Sequence, residues 1–137
     1  MIEKGKTVRF AYTLTVDGEA IDSSANSGPL EYVHGEGKIV VVDNAQEFFG
    51  VVGDKLMAFA AKNNWQAIIL NGYVRDTDET KNINVGLFAI GTCPLRNFDK
   101  TESSRGEEIS FEGLTFNRGD YVYADNDGIV ISKEKLV

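Results

Sequence analysis

The chain is poor in the residues from which many sites are built: it has 1 cysteine, 1 histidine, 1 tryptophan and 2 prolines. The lone cysteine, Cys93, excludes an internal disulfide and any multi-cysteine zinc site, and it reads as a small buried hydrophobe in a reducing compartment. The lone histidine, His34, stands between Val33 and Gly35 and reads as a loop residue rather than a catalyst. Long apolar runs are missing as well. Nothing approaches the roughly 20 residues needed to span a bilayer. The charged opening MIEKGKTVRF lacks the apolar centre of a secretory signal. These absences predict a soluble, cytoplasmic protein with no membrane partner. Basic charge is in deficit, with 14 Lys and Arg against 21 Asp and Glu and a net charge of −7. Such a surface repels phosphate backbones and argues against direct nucleic-acid binding. It suits solubility, and it tolerates a basic protein partner or a divalent cation.

What is present is ordinary core material. A hydrophobic share of 42% over 137 residues is enough for a single domain over residues 1–137. In TVRFAYTLTV (7–16), Val8, Phe10, Tyr12, Leu14 and Val16 alternate with smaller or polar residues, the period of a half-buried strand. Asp17-Gly18 is a hairpin turn signal, and residues 19–22 supply a short returning strand. Residues 23–29 read as a loop, and residues 30–33 as a turn of helix. The character then changes. Residues 39–42 form a continuous apolar run ending in Asp43, as in a strand buried on both faces. Gly53-Asp54 opens a helix to about Lys62, with Leu56, Phe59 and Ala60 on its core face and Asp54 as N-cap. Residues 67–70 form another buried strand, closed by Asn71-Gly72, with Trp65 just before it as a core residue. The order strand, helix, strand over 38–72 predicts a right-handed βαβ crossover, hence an α/β class with a parallel sheet. Further on, residues 83–90 read as extended and 97–108 as exposed. Short strands follow at 109–111, 114–116, 121–124 and 129–131, with a tight turn at Asn126-Asp127-Gly128.

The crossover places chemistry at one edge, because ligands of open α/β sheets bind beyond the carboxyl ends of the strands. Asp43 ends one strand, and Asn71, Gly72, Arg75 and Asp76 follow the next. Gly53-Asp54 starts the helix between them, where free amide groups and the positive end of the helix dipole suit an anion. Arg75 offers a planar donor fork, and Asp76 can bind a hard cation that keeps several waters. The same residues also read as a helix cap and a surface ion pair.

Three stretches carry a family resemblance: GKIVVVD (37–43), NNWQAIILNGYVRDTDE (63–79) and GDYVYADNDGIVIS (119–132). Together they resemble the RraA family (regulator of ribonuclease activity A), whose superfamily includes the class II 4-hydroxy-4-methyl-2-oxoglutarate aldolases, which also decarboxylate oxaloacetate. The resemblance implies a layered α/β/β domain over 38–137 and a homo-oligomer, either a trimeric ring or a strand-swapped dimer. Gly53-Asp54 and Arg75-Asp76 match the motif of those aldolases. On that match Asp76 would hold Mg²⁺ or Mn²⁺, and Arg75 would face the keto oxygen of a pyruvate-like 2-oxo acid. Gly53 and the backbone amides near Lys55 and Leu56 would hold its carboxylate, and Asp54 would position a water for proton transfer. Members with an altered Arg-Asp pair act instead as inhibitors of ribonuclease E, so that enzyme is a second implied partner.

Residues 1–37 resemble something else. YTLTVDGE, DSS and PLEYVHGEG are similar to the opening of a SlyD-like FKBP-type prolyl isomerase, where Tyr12 and Asp22 match positions lining the prolyl pocket. The implied reading is a chimera joined near Gly35 to Ile39, engineered in origin, with an FKBP-derived hairpin added to the RraA-like sheet. It would keep a latent 2-oxo acid lyase site and, as a further alternative, residual isomerase activity.

Overall fold

The computed structural model describes residues 37–99, 103–106 and 108–136, and the backbone of four strands before them. Those strands are β1 (Thr7–Phe10), β2 (Thr13–Val16), β3 (Glu19–Ser23) and β4 (Leu30–Val33). β2 and β3 pair antiparallel, while the expected turn at Asp17-Gly18 lies outside the described residues. β1 pairs antiparallel with β4. Residues 30–33 are therefore a strand and not the expected turn of helix, because Leu30 and Tyr32 take their place opposite Phe10 and Val8 in a ladder. The segment 7–16 is two strands rather than one, and its described pairing is with β4 and β3 rather than with the larger sheet. Tyr12 and His34 lie outside the described residues, and for Asp22 only the backbone, in β3, is described.

The larger sheet is parallel and is built on one long strand. β7 (Trp65–Val74) pairs with β5 (Lys38–Asp43) along its first part, then with β6 (Gly50–Val52), and on its other side with β8 (Gly86–Thr92). Helix α1 (Asp54–Lys62) links β6 to β7. Ile68, Leu70 and Val74 of β7 pack with Val52, Met57, Ala60 and Val85 in the main core. Each of these side chains except Ala60 contributes roughly 1.5–3 kcal/mol on removal from water. The intervening residues Ala67, Ile69 and Asn71 are buried on the opposite face. β7 is thus the strand covered on both faces. β5, expected to be so, is only half-buried, since its described pairing is with β7 alone.

Other boundaries moved for local reasons. β7 does not stop at Asn71-Gly72, because at that point its partner changes from β5 to β6 and the ladder continues. Gly53, not Asp54, is the N-cap, and Asp54 is the first helical residue. Met57 takes the core position beside Ala60, while Phe59 meets Trp65 edge-on at 5.7 Å. A short helix, α2 (Thr77–Thr80), follows the site and was not foreseen. Cys93 is buried as expected. The late strands fall where the pattern put them: β9 (Glu108–Phe111) pairs with β10 (Leu114–Asn117), and β11 (Tyr121–Ala124) with β12 (Ile129–Ser132). In the last hairpin Asp125 Oδ1 accepts from the amides of Asp127 and Gly128, which closes the turn at Gly128.

Candidate active site

Parallel strands end together, so the residues after β6 and after β7 meet. The amide of Arg75 donates to the carbonyl of Val52 at 2.9 Å, which places residues 75–76 beside residues 53–54. Asp76 then turns with φ 56° and ψ 43°, a left-handed conformation that aspartate tolerates better than most residues. The turn brings its carboxylate back. Asp76 Oδ2 accepts from Arg75 Nη1 at 2.8 Å and, more weakly, from the amide of Asp54 at 3.4 Å. Its carbonyl accepts from Glu79 and Thr80 and so starts α2.

This contact requires glycine at residue 53. A Cβ there would lie 2.4 Å from Asp76 Oδ2 and 3.1 Å from Arg75 Cζ. Gly50 has the same relation to the stem of the arginine, since a Cβ would lie 2.8 Å from Arg75 Cβ and 2.9 Å from Cδ. Arg75 therefore lies across β6, with its stem over Gly50 and its guanidinium against Gly53. The Arg75 and Asp76 side chains are 23% and 30% exposed, accessible yet held. Arg75 Nε is buried without a hydrogen-bond partner, so the donor fork is only partly used by Asp76. Lys55 and Leu56 occupy the first turn of α1, Leu56 with its side chain packed on the core.

Asp43 and Asn71, expected at the same edge, form a pair of their own. Asn71 Nδ2 donates to Asp43 Oδ1 at 2.8 Å, and Asn71 is buried. They bind the loop after β5 rather than the Arg75–Asp76 pair. Sequence reasoning missed Gly50, whose place under the Arg75 stem no local signal marks.

A second charged group of note lies at the opposite end of β5. Lys38 Nζ sits 4.5 Å from the Trp65 ring centroid. Its pKa is held below the ordinary 10.5, first by burial and then by the charges of Arg105 and Arg118.

With this geometry in hand, the relatives become informative. A family model described as "RraA-like: Aldolase/RraA" matches residues 6–131. The chain belongs to the RraA-like family. A protein of Alkalilimnicola ehrlichii named "Putative 4-hydroxy-4-methyl-2-oxoglutarate aldolase" is 36% identical over 134 residues, 97% of this chain and 83% of its own. A Bacillus cereus protein of the same name is 42% identical over 102 residues, 74% of this chain and 64% of its own. The chain thus spans just under two-thirds of that RraA-like relative. Among solved structures, RraA from Thermus thermophilis, titled an RNA-processing inhibitor, superposes with a TM-score of 0.67 at 25% identity, over 73% of this chain and 62% of its own. A Geobacillus kaustophilus protein titled S-adenosylmethionine: 2-dimethylmenaquinone methyltransferase superposes at 0.68 with 33% identity, over 73% and 63%. The RraA-like match begins at residue 6 and runs through the junction expected near Gly35 to Ile39. The Alkalilimnicola alignment, at 134 residues, takes in nearly the whole chain.

An RraA-like aldolase implies a divalent metal, and the residues set limits on how one could be held. Among the described residues no group of three or more His, Cys, Asp or Glu side chains is placed to hold an ion. The donors at the Arg75 edge are Asp76, with Oδ1 free of the bonds that occupy Oδ2, and the neighbouring Asp54. That set does not fit a dehydrated, all-protein cage. It does fit a cation such as Mg²⁺ bound through one or two carboxylates and keeping most of its water.

Proposed function

We propose that the chain is a lyase acting on 2-oxo acids, releasing pyruvate from a 4-hydroxy-2-oxo acid or from oxaloacetate with the help of Mg²⁺ or Mn²⁺. One observation carries this reading: the Asp76 carboxylate and the Arg75 guanidinium converge on the Gly53-Asp54 turn at the start of α1. A cation bound at Asp76 would supply Lewis-acid charge at the keto oxygen. Arg75 stabilises the negative charge that develops on the same oxygen as pyruvate leaves in its enolate form. The amides at the start of α1, near Lys55 and Leu56, hold the substrate carboxylate. Asp54 takes the hydroxyl proton, directly or through a water. In the retro-aldol direction the C3–C4 bond breaks, its electron pair becomes the C2=C3 bond of the enolate while the keto oxygen takes the charge, and the proton that left the 4-hydroxyl is returned to C3 to give pyruvate. The 4-hydroxyl becomes the carbonyl of the second product. The test is pyruvate release from oxaloacetate with Mg²⁺. Turnover of the native chain should exceed that of Asp76→Ala by at least about 100-fold, the scale of losing a group that stabilises transition-state charge. Equal rates for the two would reject the reading.

A second reading is a regulator that binds ribonuclease E. It is favoured by the likeness to the Thermus RNA-processing inhibitor, and failure to co-purify with that enzyme would remove it. Composite origin and prolyl isomerisation rest on the resemblance of residues 1–37 alone. A prolyl-isomerisation assay with no acceleration would remove the activity.

A further inference from the structure

We propose that Lys38, Arg105 and Arg118 form a binding site for a diphosphate group, at the end of the sheet remote from Arg75. This site goes beyond the lyase reading and does not depend on it.

Topology gathers the three cations. The turn of the β9–β10 hairpin, Glu112-Gly113, takes φ 48° and 75° and joins Phe111 to Leu114. Glu112 accepts a hydrogen bond there from the side chain of Gln46, in the loop after β5. β9 packs against β5. With its tip fixed beyond the end of β5, the hairpin turns its open end toward the start of that strand. The open end is where Glu108 pairs with Asn117. Arg118 directly follows Asn117, Arg105 shortly precedes Glu108, and both are exposed. Lys38 is the first residue of β5.

The cations bear on one another. Lys38 is half-buried, with Nζ 4.5 Å from the centroid of a Trp65 ring that Phe59 braces edge-on. Burial disfavours its proton first, and the charges of Arg105 and Arg118 follow. Like charges held together cost stability, and this gathering stands in a chain whose net charge is −7. Ionisable groups perturbed by burial and by specific neighbours concentrate at functional sites. A multivalent anion relieves the repulsion among all three cations, which a neutral ligand cannot do.

The acids at this end leave room for such a ligand. Asp120 Oδ2 accepts from the Asn117 amide at 2.8 Å and so closes the turn after β10, while Glu108 is exposed. Arg105 and Arg118 make further interactions within the protein. A guanidinium carries five donors, so it can hold such a partner and an anion together. Three cations exceed what one carboxylate balances. Two adjoining phosphates match them better, and their oxygens suit the bidentate contact of an arginine.

The test is titration of the full chain with pyrophosphate, ADP and acetate at constant ionic strength. It is followed by calorimetry and by the fluorescence of Trp65, the one tryptophan of the chain. Pyrophosphate should bind saturably and at least about tenfold more tightly than acetate, and Arg105→Gln and Arg118→Gln should each weaken it about tenfold, the scale of one charge-assisted hydrogen bond. Arg75→Gln should leave its affinity unchanged. ADP binding as tightly as pyrophosphate, or more so, extends the site to the diphosphate of a nucleotide; weaker ADP binding confines it to the free anion. Pyrophosphate no tighter than acetate would overturn the proposal, as would an affinity untouched by both arginine variants or a loss that appears in Arg75→Gln instead.

Discussion

The carboxylate of Asp76 occupies the space that a side chain at residue 53 would need, 2.4 Å from where its Cβ would lie. Gly53→Ala must therefore push Asp76, and Arg75 with it, away from the start of α1. Pyruvate release should fall more than about tenfold, since small displacements at a reacting centre cost that much or more. Stability should fall by roughly 1–3 kcal/mol for the forced overlap. Steady-state kinetics and urea unfolding measure the two. An alanine variant with native activity would show that Asp76 does not work from this position.

The left-handed residues of the β5–β6 loop predict the opposite sign. Glycine adopts φ near 50° without the Cβ penalty, so Ala45→Gly and Gln46→Gly should each stabilise the fold by about 0.5–1 kcal/mol once the glycine entropy cost is subtracted. Denaturant midpoints are the measurement, and a loss of stability in both variants would contradict the backbone described for this loop.

Asp43 anchors both the loop and a buried amide, through bonds of 2.8 Å to the Ala45 amide and to Asn71 Nδ2. Asp43→Ala leaves Asn71 Nδ2 buried without that acceptor, at a cost of roughly 1–3 kcal/mol. Asp43→Asn, which keeps an acceptor oxygen, should recover part of the loss in thermal unfolding.

Lys38 gives a pH signature. Its folded pKa is depressed from 10.5, with burial as the larger cause and Arg105 and Arg118 after it. The unfolded chain therefore takes up the proton at a higher pH than the folded one. Above 10.5 the group is neutral in both states and costs nothing. As pH falls through 10.5 toward the lowered folded value the penalty grows, and below that value it is constant, including at neutral pH. Lys38→Met keeps the apolar stem and removes the charge. Relative to this variant, the native chain should gain stability as pH rises from neutral toward 10.5, measured by urea unfolding at both ends. A flat difference would show that Lys38 is not depressed. The contact with Trp65 is lost in the variant at every pH at which Lys38 is charged, so it offsets part of the gain.

Strands β5, β7 and β9 to β12, and α1, were legible because hydrophobic period and turn chemistry act over a few residues. The Gly-Asp and Arg-Asp pairs were legible because a parallel crossover brings the carboxyl ends of its strands to one edge whatever its details. Three features were not legible. The residue that caps α1 depended on Asp76 arriving from β7 to fill the space beside Gly53. The identity of the strand buried on both faces depended on pairing: the apolar run of β5 matches that of β7, and among the described strands of this sheet only β7 has neighbours on either side. The left-handed loop between β5 and β6 depended on Asn71, far along the chain, offering its carbonyl to two amides at once. Local order in this protein follows from the sequence itself. Which side chains meet at Arg75 was decided by non-local strand pairing, because a strand carries no mark of its partner until the sheet is assembled.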